Sequence, residues 1–568
     1  MTRRDPVVEQ RGAPATSGPP PVVEQRGAPA TSGPPPVVEQ RGAPATSGRR
    51  DHPATRLTAG LADAPTDVDV LVVGLGVTGA GVALDAATRG LTVLAVDAHD
   101  LAFGTSRWSS KMVHGGLRYL AKGQVGVAHE SAVERGILME VTAPHLTRSM
   151  AMVIPVTSSM SRVQGGLARA GLRAGDLLRR GARTDAETLP RPRHLSATET
   201  LAMVPALRPS GLRGGLLGWD GQLEDDARLV VTMARTAADH GAEVRTRARV
   251  LHAARGEAVL RDEVTGAEHT VRARAIINAA GVWADQVLGE EGSRTDGIRL
   301  RPSRGTHLVL RAETLPGLGA SVFAPVPGET NRFVMVLPQP DGTVYVGLTD
   351  EPAPGPVPDV PEPTETEIGF LLDVVSAAFA RPLHRSDVVG AFAGLRPLLD
   401  GGDGSTADLS RRHAVVTGPS GVTTVVGGKL TTYRRMAQDA VDAAVAHHGL
   451  TAGPCVTASL PLAGALPRAE LARLEEPARL VRRYGADAAL VLSSARELTG
   501  LTDEELLAPV SATVPVTLAE LLFGVTHEGA HDVDDLLDRR TRVGLVPEDR
   551  ATAEPLARRA LALARPSS

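Results

Sequence analysis

Cysteine is almost absent from this sequence, and aromatic residues are scarce. Cys455 is the single cysteine among 568 residues, and Phe, Trp and Tyr together make up 2% of the chain. One cysteine excludes an internal disulfide bond and any iron–sulfur or zinc site built from several cysteines. His447 and His448 stand side by side without further ligands nearby in the pattern, so we expect no metal site.

Runs of like charge and long apolar runs are also missing. The net charge is −4, and no block of five like charges offers a basic surface to nucleic acid. No uninterrupted apolar stretch reaches the ~18 residues that a membrane-spanning helix needs, and no charged start precedes an apolar signal core. We therefore expect a cytoplasmic protein without a nucleic-acid partner, either free or resting on the inner face of the cell membrane.

The beginning of the chain is repetitive. PVVEQRGAPATSGPP at residues 6–20 recurs unchanged at 21–35 and, without its last two positions, at 36–48. A 15-residue unit with so few apolar residues cannot stack into a buried core. The sequence predicts a disordered tail over residues 1–65, and a docking tail is the alternative.

The stretch DVLVVGLGVTGAGVALDAATRGLTVLAVD, which starts at Asp69, has the pattern of a mononucleotide-binding βαβ unit. Gly74 permits the tight turn, Gly76 lets the backbone approach a pyrophosphate, and Gly79 lets helix and strand pack closely. Asp97 follows the second apolar run, about 20 residues on, where an acid binds a ribose hydroxyl. The sequence therefore predicts a dinucleotide site at this turn.

Two later segments repeat the combination of strand, glycine and helix. INAAGVWAD ends an apolar strand near Gly281, and GVTTVVGGKLTTYRR places Gly427 and Gly428 between a strand and a long helix. We expect Thr431 and Thr432 to cap the start of that helix with their hydroxyl groups. The three segments that combine a strand, glycine and a helix predict a cofactor domain assembled from separated parts of the chain.

The remaining pattern completes the predicted architecture. Residues 298–350 alternate apolar and polar positions as antiparallel strands do, and residues beyond 453 are helical in composition. We predict an α/β fold with a doubly wound cofactor domain, an antiparallel substrate domain and a helical C-terminal domain. Their predicted ranges are 66–150, 206–295 and 391–450 for the cofactor domain, 151–205 and 296–390 for the substrate domain, and 451–568 for the C-terminal domain.

Residues 161–183 carry six arginines among apolar residues. A basic amphipathic helix of this kind fits an anionic membrane surface. Four glycines, Gly165, Gly166, Gly171 and Gly175, weaken such a helix, so a solvated basic face is the alternative.

Several motifs together are far more specific than the glycine turn. They are TSRWSSKMVHGGLRYL from Thr105, DDARL from Asp225, NAAGVWAD from Asn278, GLRPL from Gly394 and GGKLTTYR from Gly427. In this order the sequence resembles the FAD-dependent, quinone-linked glycerol-3-phosphate dehydrogenases, a branch of the D-amino-acid-oxidase-like flavoproteins, and THEGAHDVDDLLDRRTR resembles their C-terminal domain. The first glycine turn departs slightly, since Leu75 stands where the family often has glycine.

The resemblance implies FAD as the cofactor. It implies that hydride passes from C2 of sn-glycerol 3-phosphate to flavin N5, giving dihydroxyacetone phosphate, and that a quinone receives the electrons. The residues it assigns to FAD are Gly74, Gly76, Gly79, Asp97, Thr105, Ser109, Ser110, Lys111, His114, Gly115, Gly116, Gly281, Gly427, Gly428, Leu430 and Thr431.

The resemblance also implies a cationic pocket for the substrate phosphate. Arg118, Arg396 and Lys429 match the family's cations, and Arg411 is a weaker fourth candidate. An arginine fork grips two phosphate oxygens at once. Tyr119 is expected to orient substrate or flavin, and His307 is our candidate for the base that takes the hydroxyl proton, although a structural histidine is the alternative.

Three hypotheses follow. The first is the dehydrogenase with a quinone acceptor, in contact with a membrane surface. The second is an oxidase on the same scaffold that reduces oxygen to peroxide, and the third is a flavin-binding module without catalysis. The oligomeric state stays open, a homodimer included.

Overall fold

The computed structural model describes residues 57–116, 119, 123–158, 162–329, 332–400 and 413–565. Residues 1–56 of the predicted tail lie outside the described range. The last nine positions of the tail, residues 57–65, are described. Those last positions correct the prediction, because Leu57–Ala59 forms a strand and the side chains of Leu57 and Leu61 are buried. The two apolar side chains supply the burial that the repeats cannot.

The strands and helices of the described residues are numbered in chain order. The strands are β1 (Leu57–Ala59), β2 (Asp67–Val73), β3 (Val93–Val96), β4 (Met112–Val113), β5 (Thr147–Thr157), β6 (Arg193–Leu195), β7 (Leu212–Leu223), β8 (Glu243–Thr246), β9 (Ala248–Ala254), β10 (Glu257–Asp262), β11 (Glu268–Asn278), β12 (Ser303–Arg311), β13 (Ser321–Pro325), β14 (Phe333–Pro338), β15 (Thr343–Gly347), β16 (Glu351–Pro352), β17 (Val388–Arg396), β18 (His413–Thr417) and β19 (Val422–Gly427). The helices are α1 (Val77–Thr88), α2 (Val125–Ile137), α3 (Arg162–Gly181), α4 (Ala197–Met203), α5 (Asp226–Asp239), α6 (Ala284–Thr295), α7 (Glu365–Ala378), α8 (Tyr433–His448), α9 (Arg468–Leu471), α10 (Ala478–Tyr484), α11 (Ala488–Thr499), α12 (Asp503–Leu507), α13 (Leu518–Thr526) and α14 (Pro547–Ala564).

The first sheet has a parallel centre in the order β1-β8-β3-β2-β11-β19. The central strand β3 and the second half of β2 are apolar and buried on both sides, as parallel strands of such sheets are. Helices α1, α5 and α8 pack on one face, where their alanines and valines form a common core with β2 and β3. On the other side, β9, β10 and the first half of β11 form an antiparallel extension. The predicted doubly wound cofactor fold is confirmed in this sheet.

The second sheet follows the order β16-β12-β15-β14-β13-β5-β7-β4, with β17 beside β12 and β6 beside β7. Its pairs are antiparallel except for β13 with β5, where Ser321 and Val322 pair in parallel with Met152 and Val153. Helix α7 buries Leu371 and Val375 against this sheet. The predicted antiparallel sheet is therefore present, whereas the predicted domain boundaries stay a prediction.

The C-terminal region is helical, as the sequence predicts. Helices α10 to α14 share an apolar core that includes Tyr484, Phe523 and Leu536. A π-helical turn, Asp535–Arg540, lies between α13 and α14. None of the helices in the described residues combines the length and the apolar character that crossing a membrane requires.

Candidate functional site

A cavity of about 2480 Å³ lies where the two sheets meet. Its walls include the residues that follow the carboxyl ends of β2, β3, β11 and β19, namely Gly74, Asp97, Ala279 and Gly428. The carboxyl edge of a parallel sheet is where doubly wound folds bind their ligands. The second sheet contributes β12, β13 and β17 to the opposite wall.

The first glycine turn is shaped as its sequence predicts. Gly74 has a φ of +92°, and an added Cβ there would lie 2.8 Å from the Ala280 Cα. A Cβ on Gly79 would lie 1.7 Å from the Gly74 carbonyl oxygen. Gly79 therefore packs the start of α1 against the end of β2 and does not line the cavity, whereas Gly74 and Gly76 do.

Asp97 lies in the cavity wall beside this turn. Its Oδ2 accepts a 2.7 Å hydrogen bond from the Leu75 N–H, and its Oδ1 accepts one of 2.9 Å from the His99 N–H. Burial raises the pKa of Asp97 to about 6, although the two N–H groups lower it. A carboxylate has lone pairs for more than two donors, so Asp97 keeps the capacity to accept from a ribose hydroxyl.

The second and third strand–glycine–helix segments also line the cavity. Gly281, Gly427 and Gly428 have φ values of +59°, +79° and +73°, and all three line the cavity together with Leu430 and Thr431. The predicted capping is wrong, because α8 has no side-chain cap. The Thr432 hydroxyl instead donates to the Lys429 carbonyl, since a 3₁₀ turn at Leu430–Thr432 precedes the helix.

The segment after Thr105 divides into residues that face the cavity and residues that face away. Thr105, Ser109, Ser110 and His114 line it. Lys111 is wholly buried elsewhere, where its ammonium group donates to Asp226 Oδ2 and to the Arg107 carbonyl, each at 2.8 Å. The expected contact of Lys111 with the cofactor is corrected, because the Asp226 carboxylate holds the ammonium group.

Gly115 and Gly116 also lie away from the cavity. The Gly115 N–H donates to Asp220, and a Cβ on Gly115 would lie 2.3 Å from the Arg135 guanidinium. Gly116 has a φ of +79° and packs against the backbone of Ala128. These glycines allow close packing behind the wall, and the wall itself is formed by their neighbour His114.

Two of the four predicted phosphate cations lie in described residues, and both line the cavity. Arg396 donates from Nη1 to Ser303 Oγ and Asp350 Oδ1 and from Nη2 to the Thr349 carbonyl, all at 3.2 Å. A Cβ on Gly305 would lie 2.4 Å from Arg396 Nη2, so this glycine leaves the space that the guanidinium occupies. Arg118 and Arg411 lie outside the described residues.

Lys429 and Tyr119 form a pair in the same cavity. The ammonium nitrogen of Lys429 lies 3.9 Å from the centroid of the Tyr119 ring and donates to Ser131 Oγ at 2.5 Å. A cation over an aromatic face is attracted by the ring. Tyr119 therefore sets the direction of the Lys429 side chain.

His307 lies on β12, 2% exposed, in the wall of the cavity. Its Nε2 is 2.8 Å from Ser110 Oγ, and its ring stacks on Phe392 with centroids 4.8 Å apart. Burial, with a smaller contribution from the charges of Lys111 and Arg396, lowers the pKa of His307 to about 3. The imidazole is therefore neutral at pH 7, which is the form that accepts a proton.

Two family models match the sequence. Residues 69–434 match the FAD dependent oxidoreductases, and residues 455–565 match the C-terminal domain of alpha-glycerophosphate oxidase. Glycerol-3-phosphate dehydrogenase 1 of Mycobacterium tuberculosis is 52% identical over 509 residues, which cover 88% of this chain and 95% of that relative. The chain belongs to the family of FAD-dependent glycerol-3-phosphate dehydrogenases. The predicted family and its FAD cofactor are confirmed.

More distant members of the glycerol-3-phosphate dehydrogenase family cover the chain to a similar extent. The mitochondrial enzyme of Arabidopsis thaliana is 34% identical over 529 residues, or 86% of this chain and 81% of that relative. The glycerol-3-phosphate dehydrogenase of Bacillus halodurans complexed with FAD has a TM-score of 0.67 at 27% identity, covering 87% of this chain and 90% of its own. L-alpha-glycerophosphate oxidase of Mycoplasma pneumoniae shares the fold, with a TM-score of 0.53 at 20% identity over 70% of this chain and 99% of its own.

The cavity fits the FAD that this family binds. Gly74, Gly281 and the Gly427–Gly428 pair present bare backbone to it, so a long flat ligand can approach at three strand ends. The N-cap of α1 is Gly76, which has no side chain to cap the helix, and this helix start opens on the turn where the pyrophosphate of FAD would lie. The start of α8 gives a second positive helix end, at the wall that also holds Lys429.

Sequence reasoning missed the residues that hold the predicted ones in place. Ser303, Thr349 and Asp350 fix Arg396, and Ser106 Oγ accepts a 2.8 Å hydrogen bond from the Val77 N–H at the start of α1. No local spacing joins Arg396 to Asp350, because a strand pairing brings them together. The TSRWSSK motif does indicate Ser106, because this residue directly follows the expected Thr105 in the sequence.

Proposed function

We propose that this protein oxidises sn-glycerol 3-phosphate to dihydroxyacetone phosphate with FAD. One observation carries the proposal: Arg396, Lys429 and His307 line the same cavity as the three glycine turns. Two cations suit a phosphate dianion, and a neutral imidazole suits an alcohol that must lose its proton. The names of the relatives support the same substrate.

Arg396 is suited to bind the phosphate because its guanidinium is already oriented. It donates to Ser303, Asp350 and the Thr349 carbonyl, and its side chain is 19% exposed. A guanidinium held in this way loses little conformational freedom when it grips two phosphate oxygens. Asp350 partly neutralises the charge, which leaves net positive charge for the dianion together with Lys429.

His307 accepts the proton of the C2 hydroxyl in this proposal. In the free protein, the positive charge of Arg396 lowers the pKa of His307. The negative charge of the bound substrate offsets this effect. Substrate binding therefore makes the imidazole more basic where the proton is released. Bound FAD would supply the acceptor for the hydride that leaves C2, and His307 would hold the proton that leaves the hydroxyl group.

We propose a quinone as the electron acceptor. The same cavity is lined by apolar side chains of α3, β5, β13 and β14, among them Leu172, Ile154, Phe323 and Met335. An apolar wall of this extent suits a ligand with an apolar ring and tail better than a polar reductant. Oxygen as the acceptor is the alternative outcome of the test.

We also propose that α3 meets an anionic membrane surface. Arg169, Arg173 and Arg180 are exposed on it, and Leu177 is 65% exposed. Arg179 differs from these three arginines, because it is buried while bound to Asp176. Cosedimentation with phosphatidylglycerol vesicles should exceed that with phosphatidylcholine vesicles. It should fall in R169Q/R173Q/L177S but not in R272Q/R274Q, which changes two exposed arginines of β11.

An anaerobic titration tests the proposed reaction. Adding sn-glycerol 3-phosphate to the purified holoprotein should bleach the flavin absorbance near ~450 nm, whereas glycerol should not. Absence of bleaching would overturn the proposal. Re-oxidation by a short-chain quinone under anaerobic conditions supports the quinone, and peroxide formed in step with substrate loss in air identifies an oxidase.

A further inference from the structure

Two consecutive arginines of the C-terminal region reach the loop beside the predicted adenosine end of the cofactor site. We define the Asp100 cluster as Asp100, Asp535, Arg539 and Arg540. All four side chains are at most 3% exposed. Asp100 belongs to the loop that follows β3 and Asp97, and the other three belong to the π-helical turn Asp535–Arg540.

The Arg540 guanidinium donates four hydrogen bonds in this contact. Its Nη1 and Nη2 donate to the two oxygens of Asp100 at 2.8 and 2.9 Å, and its Nε and Nη2 donate to the Glu528 carbonyl at 3.2 and 2.8 Å. The Arg540 carbonyl in turn accepts from Arg228 at 2.9 Å and from Arg483 at 2.6 Å. Both the backbone and the side chain of Arg540 are therefore fixed.

Arg539 joins the same carboxylate to a second one. Its Nε donates to Asp100 Oδ2 at 2.6 Å and its Nη2 to Asp535 Oδ1 at 2.5 Å. Asp535 also accepts from Arg247, which precedes β9, at 2.8 Å. Burial raises the pKa of Asp100, but the charges and hydrogen bonds of Arg539 and Arg540 outweigh this effect and hold the pKa well below its usual range. Asp100 is therefore a charged anchor at neutral pH.

The loop that Asp100 anchors forms part of the cavity wall. Asp97, His99 and Phe103 all line the cavity, and the rings of His99 and Phe103 stack 3.9 Å apart. The Arg539 guanidinium lies 5.7 Å from the centroid of the Phe103 ring. Residues 528–542, all of them described, do not line the cavity themselves.

We propose that Arg539 and Arg540 are positioning residues for the adenosine end of FAD. They act through Asp100, which sets the loop that carries Asp97, His99 and Phe103. Stability alone gives a weak reason for such a cluster, because buried ion pairs can often be replaced by apolar residues without loss. The helical C-terminal region is in this way part of the cofactor site without touching the cofactor.

Linkage makes the contact testable in the unaltered protein. If the cluster favours FAD binding, then FAD binding must stabilise the cluster by the same free energy. Hydrogen exchange of the deflavinated full chain should slow at residues 97–107 and 528–542 when FAD is added. ADP alone should slow both segments, whereas FMN, which lacks the adenosine, should not. Helix α14 of the same region serves as the internal control and should change less.

Variants test the direction of the effect. Asp100→Asn and Arg540→Lys should weaken FAD binding by about 5- to 150-fold, the usual range for coupled sites. The KM for sn-glycerol 3-phosphate at saturating FAD should stay unchanged, and a control variant at a second contact of the C-terminal region separates the effect from general destabilisation. Arg540→Lys, which keeps the charge, should lose less than Arg540→Met.

The matched control is Arg311→Met. Arg311 binds Asp549 of α14 through two hydrogen bonds of 2.9 and 2.6 Å, and so joins the C-terminal region to the other sheet. Its loss should leave the FAD dissociation constant unchanged. Equal weakening of FAD binding in Arg311→Met and Asp100→Asn would overturn the proposal. So would exchange at 528–542 that ignores both FAD and ADP, a result that needs no variant to fold and no substrate to react.

Discussion

Close neighbours hold Arg396 in place. Its role in binding the substrate phosphate can be tested separately from its role in holding the fold together. We predict that Arg396→Met, combined with Asp350→Asn to avoid an unpaired carboxylate, lowers kcat/KM for sn-glycerol 3-phosphate on the order of 100-fold. Losing charged hydrogen bonds to the phosphate costs ~3 kcal/mol of binding. Steady-state kinetics should show the loss mainly in KM.

Arg304 provides the control for this prediction. It lies on β12 next to Ser303 and binds Glu367 instead of lining the cavity. Arg304→Met should leave KM near its original value. An equal rise of KM in both variants would mean that Arg396 acts only by holding β12 and β17 together.

His307 should govern the rate and not the binding of FAD. We predict that His307→Gln keeps the flavin but lowers the rate of anaerobic bleaching at saturating substrate by ~10²- to 10⁴-fold, the usual contribution of a general base. Stopped-flow absorbance measures this rate directly. His413→Gln is the control, because His413 binds Asp439 and is absent from the cavity wall. An unchanged bleaching rate in His307→Gln would leave the ring with a structural role only.

At the scale of residues, the sequence predicts those whose role is tied to backbone shape. Gly74 and Gly428 are found where their spacing places them, because a positive φ at a strand end favours glycine. Lys111 is the counterexample. It stands within a recognised motif, but Asp226, which is 115 residues away, binds its ammonium group. Motif position alone could not reveal that partner.

Among the elements, the junction of β2 and α1 is the tightest. Because a Cβ on Gly79 would lie 1.7 Å from the Gly74 carbonyl oxygen, Gly79→Ala must push the helix away from the turn. We predict that this variant loses most of its FAD, as measured by the flavin-to-protein absorbance ratio. Gly126→Ala in α2 is the control, since nothing lies within 4 Å of the added Cβ. It should keep its FAD and gain up to ~1 kcal/mol in helix stability.

Elements with a strong local period were predictable, and those set by distant contacts were not. Helix α13, Leu518–Thr526, lies in the region beyond residue 453 that the sequence predicts as helical, because apolar residues recur on one face. The sequence predicts a tail at the position of strand β1, because three residues carry no usable period. It exists through pairing with β8, where Leu57 lies opposite Val244.

For the whole molecule, the composition and the order of the motifs predict a cofactor domain, a substrate domain and a helical C-terminal domain. They do not predict how these parts are joined. The buried pairs Arg228 with Glu528 and Arg540 with Asp100 connect segments 300 and 440 residues apart. No single-sequence pattern encodes such distances. The helical C-terminal region is consequently tied to the cofactor sheet by charges that the sequence shows only as ordinary surface residues.

The junction of these parts should make the whole molecule sensitive to acid. His145 lies at the contact with α10, is 6% exposed, and neither ring nitrogen has a hydrogen-bond partner among the described residues. Burial, with a smaller contribution from the charges of Arg235 and Arg228, lowers the pKa of His145 to about 3. Between pH 6.5 and 3 the unfolded chain therefore binds a proton that the folded chain does not, and stability falls as the pH falls.

We predict that His145 alone costs the folded state ~2 kcal/mol at pH 5 relative to pH 7.5, given an unfolded pKa of ~6.5. His145→Gln removes this proton, so its thermal midpoint should fall less than that of the original chain between pH 7.5 and pH 5. His252→Gln, at an exposed position of β9, should follow the original chain. Parallel acid profiles for His145→Gln and the original chain would show that the ring is charged, and solvated, in the folded protein. A flatter profile would instead locate the acid-sensitive contact between the cofactor sheet and the C-terminal helices.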